Sequence, residues 1–126
     1  MVPYFNRRAF LLTLAGGLLA GVSKRRPTIM TINGPISPRQ LGTALIHEHF
    51  LVDFIGADKI SFDRWQPEEV AEMVLPYLQE AKQAGLKSIF DCTPDFLGRD
   101  IKLLQLLARQ SGLQIITNTG YYGALL

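Results

Sequence analysis

The chain of 126 residues (14.1 kDa) is 48% hydrophobic and 19% charged with a mean hydropathy of +0.14, which excludes a disordered or fibrous polypeptide and leaves room for one modest core. Five of the 13 Lys and Arg precede residue 27, where no Asp or Glu stands, so the remainder carries 8 basic against 11 acidic side chains; the pI near 8.9 reports the N-terminus and not a nucleic-acid-binding face. The single cysteine, Cys92, excludes an intrachain disulfide and any Cys-rich zinc module.

The N-terminal stretch has the character of an address. Asn6-Arg7-Arg8 leads into an uncharged run from Ala9 to Val22. As a helix that run is about 21 Å long, too short for a hydrocarbon core of roughly 30 Å. A basic start, a short apolar segment and small residues near positions 20 to 23 fit an export signal better than a membrane anchor. The Arg pair before Phe10 and Leu11 resembles a twin-arginine signal, although Asn6 stands where Ser or Thr is usual and no clean A-x-A site precedes Lys24-Arg25-Arg26. Residues 1–29 are therefore expected to be an export leader and 30–126 the folded domain, periplasmic or otherwise exported and without a membrane span once mature. Translation starting at Met30 would make it cytoplasmic.

After the leader, Thr28 to Asn33 alternates β-branched and polar residues and ends in Asn33-Gly34-Pro35, the signature of a short hairpin. Thr43 to Phe50 is the first strong strand. Pro67-Glu68-Glu69 then opens a helix, with proline in its first turn and carboxylates at the positive end of the helix dipole. Val70, Met73, Val74, Tyr77, Leu78 and Ala81 form one apolar stripe at helical spacing. Pro76 removes a backbone donor, which predicts a kink, and Gly85 suits the C-terminal cap. Trp65, just ahead, reads as a staple for that helix start. Leu86 to Asp91 is a second strand, and Asp100 caps a second helix whose buried side holds Leu103, Leu104, Leu107 and Ala108. Gly112 stops it before a third strand, Leu113 to Thr119. Strands alternating with helices at this spacing predict a parallel α/β sheet with right-handed crossovers. No Gly-rich phosphate loop follows the first strand, which counts against a flavodoxin-like binding module.

Both histidines of the chain, His47 and His49, stand in one H-x-H on the first strand. Residues two apart on a strand share a face, so both imidazoles project together while Glu48 points away. Imidazole is the commonest metal ligand, and two of them supply half of a tetrahedral zinc sphere. Short motifs of this kind also occur as hydrogen-bonded pairs at strand ends, and the surrounding string decides between the two.

That string, Gly42-Thr43-Ala44-Leu45-Ile46-His47-Glu48-His49-Phe50, resembles the first-strand signature of the phosphotriesterase family within the amidohydrolase superfamily. Met30 to Pro35 with Leu41-Gly42 is similar to that family's opening hairpin. Asp91-Cys92-Thr93-Pro94 with Gly98-Arg99-Asp100 resembles its second-strand exit, and Asn118-Thr119-Gly120-Tyr121-Tyr122 its third. The resemblance runs over roughly residues 28 to 126.

It implies the N-terminal part of a (β/α)8 TIM barrel, about three βα units plus the leading hairpin, since a whole barrel takes about 250 residues. It further implies a divalent metal centre, zinc and binuclear in the complete parent, with His47 and His49 on the more buried metal and metal-activated hydroxide as the attacking group. The substrate class is a small-molecule ester, lactone or organophosphate. The family's other ligands, a carboxylated Lys, two more His and an Asp, fall on strands this sequence lacks, so no catalytic residue is assigned. Tyr121 and Tyr122 stand where family members place an aromatic beside the substrate. Asp91 and Thr93 are candidates to orient an imidazole, Arg99 to pair with a neighbouring carboxylate, and Cys92 to act as a small buried hydrophobe. A homodimer is open for the complete parent. The competing expectation is a truncated, non-catalytic remnant that holds metal weakly or associates through its open sheet edge.

Overall fold

A computed structural model describes residues 26–123, so the expected twin-arginine leader lies outside the described residues except for its last four positions. The chain opens with a hairpin of β1 (Ile29–Thr31) and β2 (Gly34–Ile36), paired antiparallel with Thr31 opposite Gly34. Thr31 closes the turn by donating its hydroxyl to the Gly34 carbonyl at 2.7 Å. The turn is tied to the body where the Ile32 amide donates to Ile115 O at 2.8 Å.

The body is a parallel sheet of β3 (Ala44–Glu48), β4 (Ser88–Asp91) and β5 (Gln114–Thr117) in sequential order. Helix α1 (Pro67–Gln83) connects the first two strands and α2 (Ile101–Ser111) the last two. Helix α1 begins as its Pro and paired Glu predict. It ends in a Schellman arrangement: the Gly85 amide donates to Lys82 O and the Leu86 amide to Ala81 O, with Gly85 at φ +103°. It runs unbroken through the exposed Pro76. Helix α2 starts at Asp100, whose Oδ1 accepts from the Lys102 and Leu103 amides, and stops at left-handed Gly112. Lys82 Nζ donates to Ser111 O at 2.6 Å, joining the two helix ends.

The core lies between these helices and one face of the sheet, with Leu78, Ile89, Leu103, Leu104, Leu107 and Ile115 at its centre. The expected stripe of α1 needs one correction. Val70, Ala71 and Leu78 are buried, but Met73 and Tyr77 are 66% and 73% exposed. Tyr77 borders the groove beside β3, the outer strand of the sheet among the described residues. The stripe is wider than the surface that covers it.

Register fixes what the sheet presents at its C-terminal edge. Asp91 pairs with Glu48 on one side and Thr117 on the other. Between Leu45 and Glu48 the β3–β4 register slips by one residue, a bulge that the alternation of the sequence does not announce. Among the described residues no helix is long and apolar enough to cross a membrane.

Candidate functional site

His47 stands on the last turn of the pleat of β3 and His49 just past its end, both exposed. The bulge between Leu45 and Glu48 takes in His47 and lies just ahead of His49, and such irregularities recur near functional sites. Their ring centroids lie 5.3 Å apart, edge to face. Glu48 and His49 both line a groove of about 220 Å³ between β3 and α1, along with Leu45, Val74, Tyr77 and Ala81.

Behind the imidazoles is a hydrogen-bonded cluster. His49 Nδ1 lies 3.0 Å from Thr93 Oγ1, and the Thr93 hydroxyl donates to Asp91 Oδ1 at 2.9 Å. Asp91 also accepts from the Thr117 hydroxyl at 3.3 Å and from the Phe50 amide at 3.4 Å. At 2% exposure its carboxyl is buried at the junction of all three strands, and burial raises its pKa above the usual carboxylate range, only partly offset by these donors. Thr93 and Asp91 were legible as candidate orienting residues. Thr117 was not, because its role depends on the β4–β5 register.

Tyr121 and Tyr122 follow β5, 70% and 40% exposed. Asp95 in the β4 exit loop fixes them: its amide donates to Gly120 O and its carbonyl accepts from the Tyr122 amide. Tyr121 packs on Phe96 at 5.8 Å and Tyr122 meets Phe54 edge to face at 6.5 Å. Their ring partners are thus loop phenylalanines and not the imidazoles, although both pairs lie at the C-terminal end of the sheet. Phe54 and Phe96 carry no sequence signal that would have marked them.

Arg99 ties the two exit loops together. It donates to Asn118 O at 2.7 Å and pairs with Asp95 at 3.4 Å. Trp65 packs against the core cluster that holds Val70 and Ala71 of α1, and its indole also donates to Asp100 Oδ2 at 2.9 Å, holding the start of α2 as well. Near it, a cavity of about 430 Å³ is lined by Phe62, Trp65, Phe96 and Arg99, and neither histidine borders it. Cys92 is half-buried, its thiol directed to Ile46 O at 3.7 Å.

Two adjacent imidazoles, one held through Nδ1 so that Nε2 faces away from its support, are the donor chemistry that a zinc-type ion takes. They fit half of such a site. Among the described residues no third His, Cys, Asp or Glu joins them in a group that could hold a metal.

Comparison with known proteins agrees with this arrangement of strands and loops. The chain is 27% identical over 121 residues to the N-acetyltaurine hydrolase of Xenopus tropicalis, a match covering 75% of this chain and 35% of that one. It is 31% identical over 88 residues to the aryldialkylphosphatase of Saccharolobus solfataricus, covering 69% and 28%. Among solved structures, the organophosphorus hydrolase from Deinococcus radiodurans superposes with a TM-score of 0.67 at 26% identity, over 75% of this chain and 29% of that one. The chain therefore spans about a third of the length of the curated relatives it matches. Its hairpin and three parallel strands are a partial (β/α)8 barrel. A model of the phosphotriesterase family matches residues 27–125, nearly all of the described structure, and the chain belongs to that family.

Proposed function

We propose that this chain contributes the first part of the active site of a zinc-dependent hydrolase, with His47 and His49 as two of the metal ligands and an ester-type bond of a small molecule as substrate. The pairing of the two imidazoles at the sheet's C-terminal edge, one of them held by Thr93, carries the reading. A divalent ion bound there supplies Lewis acidity, towards water and towards the P=O or C=O of the substrate. The protein's own part is to present two imidazoles, one of them, His49, oriented through Thr93 and Asp91, at the edge where barrel enzymes of this architecture place their chemistry. The remaining ligands would come from strands beyond the third.

Tyr121 and Tyr122 then form one wall of the approach, presenting aromatic faces to an apolar substituent of the substrate. Phosphotriesters, lactones and carboxyl esters share the electrophilic centre this site requires. The N-acetyltaurine hydrolase relative adds a second class, an N-acyl amide of an acidic amine.

The decisive measurement is zinc binding by the 126-residue chain, followed by equilibrium dialysis and by the imidazole resonances. One weakly held equivalent is expected, lost in His47→Ala and in His49→Ala. Binding that persists unchanged in both variants would refute the assignment of the ligands.

A further inference from the structure

We infer that Thr93 is the positioning residue that sets the tautomer of His49, with buried Asp91 acting through it. The inference rests on the reading of His49 as a metal ligand and adds which ring nitrogen is presented and what presents it.

The assignment follows from counting protons. A threonine hydroxyl has one to give, and Thr93 lies between Asp91 Oδ1 at 2.9 Å and His49 Nδ1 at 3.0 Å. An ionised carboxylate only accepts. The other groups facing Asp91 are the Phe50 and Thr93 amides, which can only donate, and the Thr117 hydroxyl, which is free to donate. The Thr93 proton therefore goes to Asp91, and its oxygen is left to accept from His49. That requires the proton on Nδ1 and leaves the Nε2 lone pair outward. The free histidine side chain prefers the opposite form, so the preference has to be imposed, and a buried, doubly anchored hydroxyl is suited to impose it. Thr93 and Asp91 are almost fully buried, so solvent does not compete for the bond between them or for the Thr93 end of the bond to His49.

The chain offers a clean measurement because it has only two histidines. With histidine labelled in its ring nitrogens, the metal-free chain is observed by NMR above the ordinary imidazole titration range, and His47→Gln assigns the two sets of signals. His49 is expected to be mainly Nδ1–H in the unsubstituted chain and in Thr93→Ser. In Thr93→Val, which keeps the shape and loses the acceptor, it is expected to shift towards Nε2–H, with the backbone amide spectrum confirming the fold. A mainly Nε2–H His49 in the unsubstituted chain, or an unchanged ratio in folded Thr93→Val, overturns the inference. Should the valine variant not fold, the unsubstituted chain and Thr93→Ser still decide it.

Zinc titration is the separate arm. Thr93→Val is expected to weaken binding about 10- to 100-fold, the usual effect of removing a partner that orients a ligand. A correct tautomer in a chain that binds no zinc would leave the positioning role standing and overturn the metal reading alone.

Discussion

Asp91 is the residue on which most of the site's geometry converges. It takes donors from three segments, the β3 exit, the β4 exit and β5, and it does so out of water. Desolvation outweighs those donors, so its carboxyl holds a proton more tightly in the folded chain than in the unfolded one. The stability linked to that proton is complete below the ordinary carboxylate value of 3.8 and is lost as pH rises through the raised folded value. Urea unfolding of the unsubstituted chain and Asp91→Asn, followed from about pH 3 to about pH 8, isolates this contribution from any constant offset. The variant should gain on the unsubstituted chain as pH rises through that window. A difference that stays flat would show that Asp91 is not held against its charge. The cluster was only half readable in the sequence: Asp91 and Thr93, two apart at a strand end, can be noticed, but Thr117 becomes a partner only once β4 and β5 pair in the observed register.

At the level of elements, Asp100 and Trp65 join parts of the chain that sequence reasoning treats separately. One oxygen of Asp100 satisfies two orphan amides at the start of α2, and the other takes the indole proton of a residue ahead of α1. Asp100→Ala should cost about 2 kcal/mol, roughly half from the lost cap and half from the unpaired indole. Trp65→Phe should cost about 1 kcal/mol through the indole bond, before any packing change. Because the two share one hydrogen bond, the double variant should cost about 1 kcal/mol less than the sum, as measured by denaturant unfolding. Strict additivity would mean the indole contributes nothing to the cap. The cap itself was plain in the sequence, as were both helices, because Pro67, Gly85, Asp100 and Gly112 act within a few residues of where they stand. The bond from Trp65 to Asp100 was hidden because the two lie 35 positions apart. The bulge of β3 was hidden for the same reason: it is a property of pairing with β4 and not of the string Ala44 to Glu48. Met73 and Tyr77 show the converse, since periodicity marks an apolar stripe without telling what lies over it.

For the molecule as a whole, the three-stranded sheet puts His47 and His49 at one edge while leaving β3 and β5 each without a neighbouring strand on one side among the described residues. Ile46, Phe54 and Tyr77 stand well out into solvent. A barrel closes only when tilt, strand number and stagger agree, and three strands cannot satisfy that condition. The same count governs chemistry. Two imidazoles leave half of a tetrahedral sphere to water, which permits binding but weak retention, and the described residues bring no third donor to them. Among the described residues no further group of donors could hold a second ion, so they do not assemble the paired polarisation of the attacking and leaving oxygens available to two-metal sites. The purified 126-residue chain, loaded with zinc, is therefore expected to turn over aryl ester, lactone, phosphotriester and N-acyl amide substrates no faster than a chelator-treated control. Robust turnover that a chelator abolishes, from a homogeneous preparation, would overturn this expectation; it would require the missing ligands to be supplied by a second copy, in an assembly that light scattering would detect.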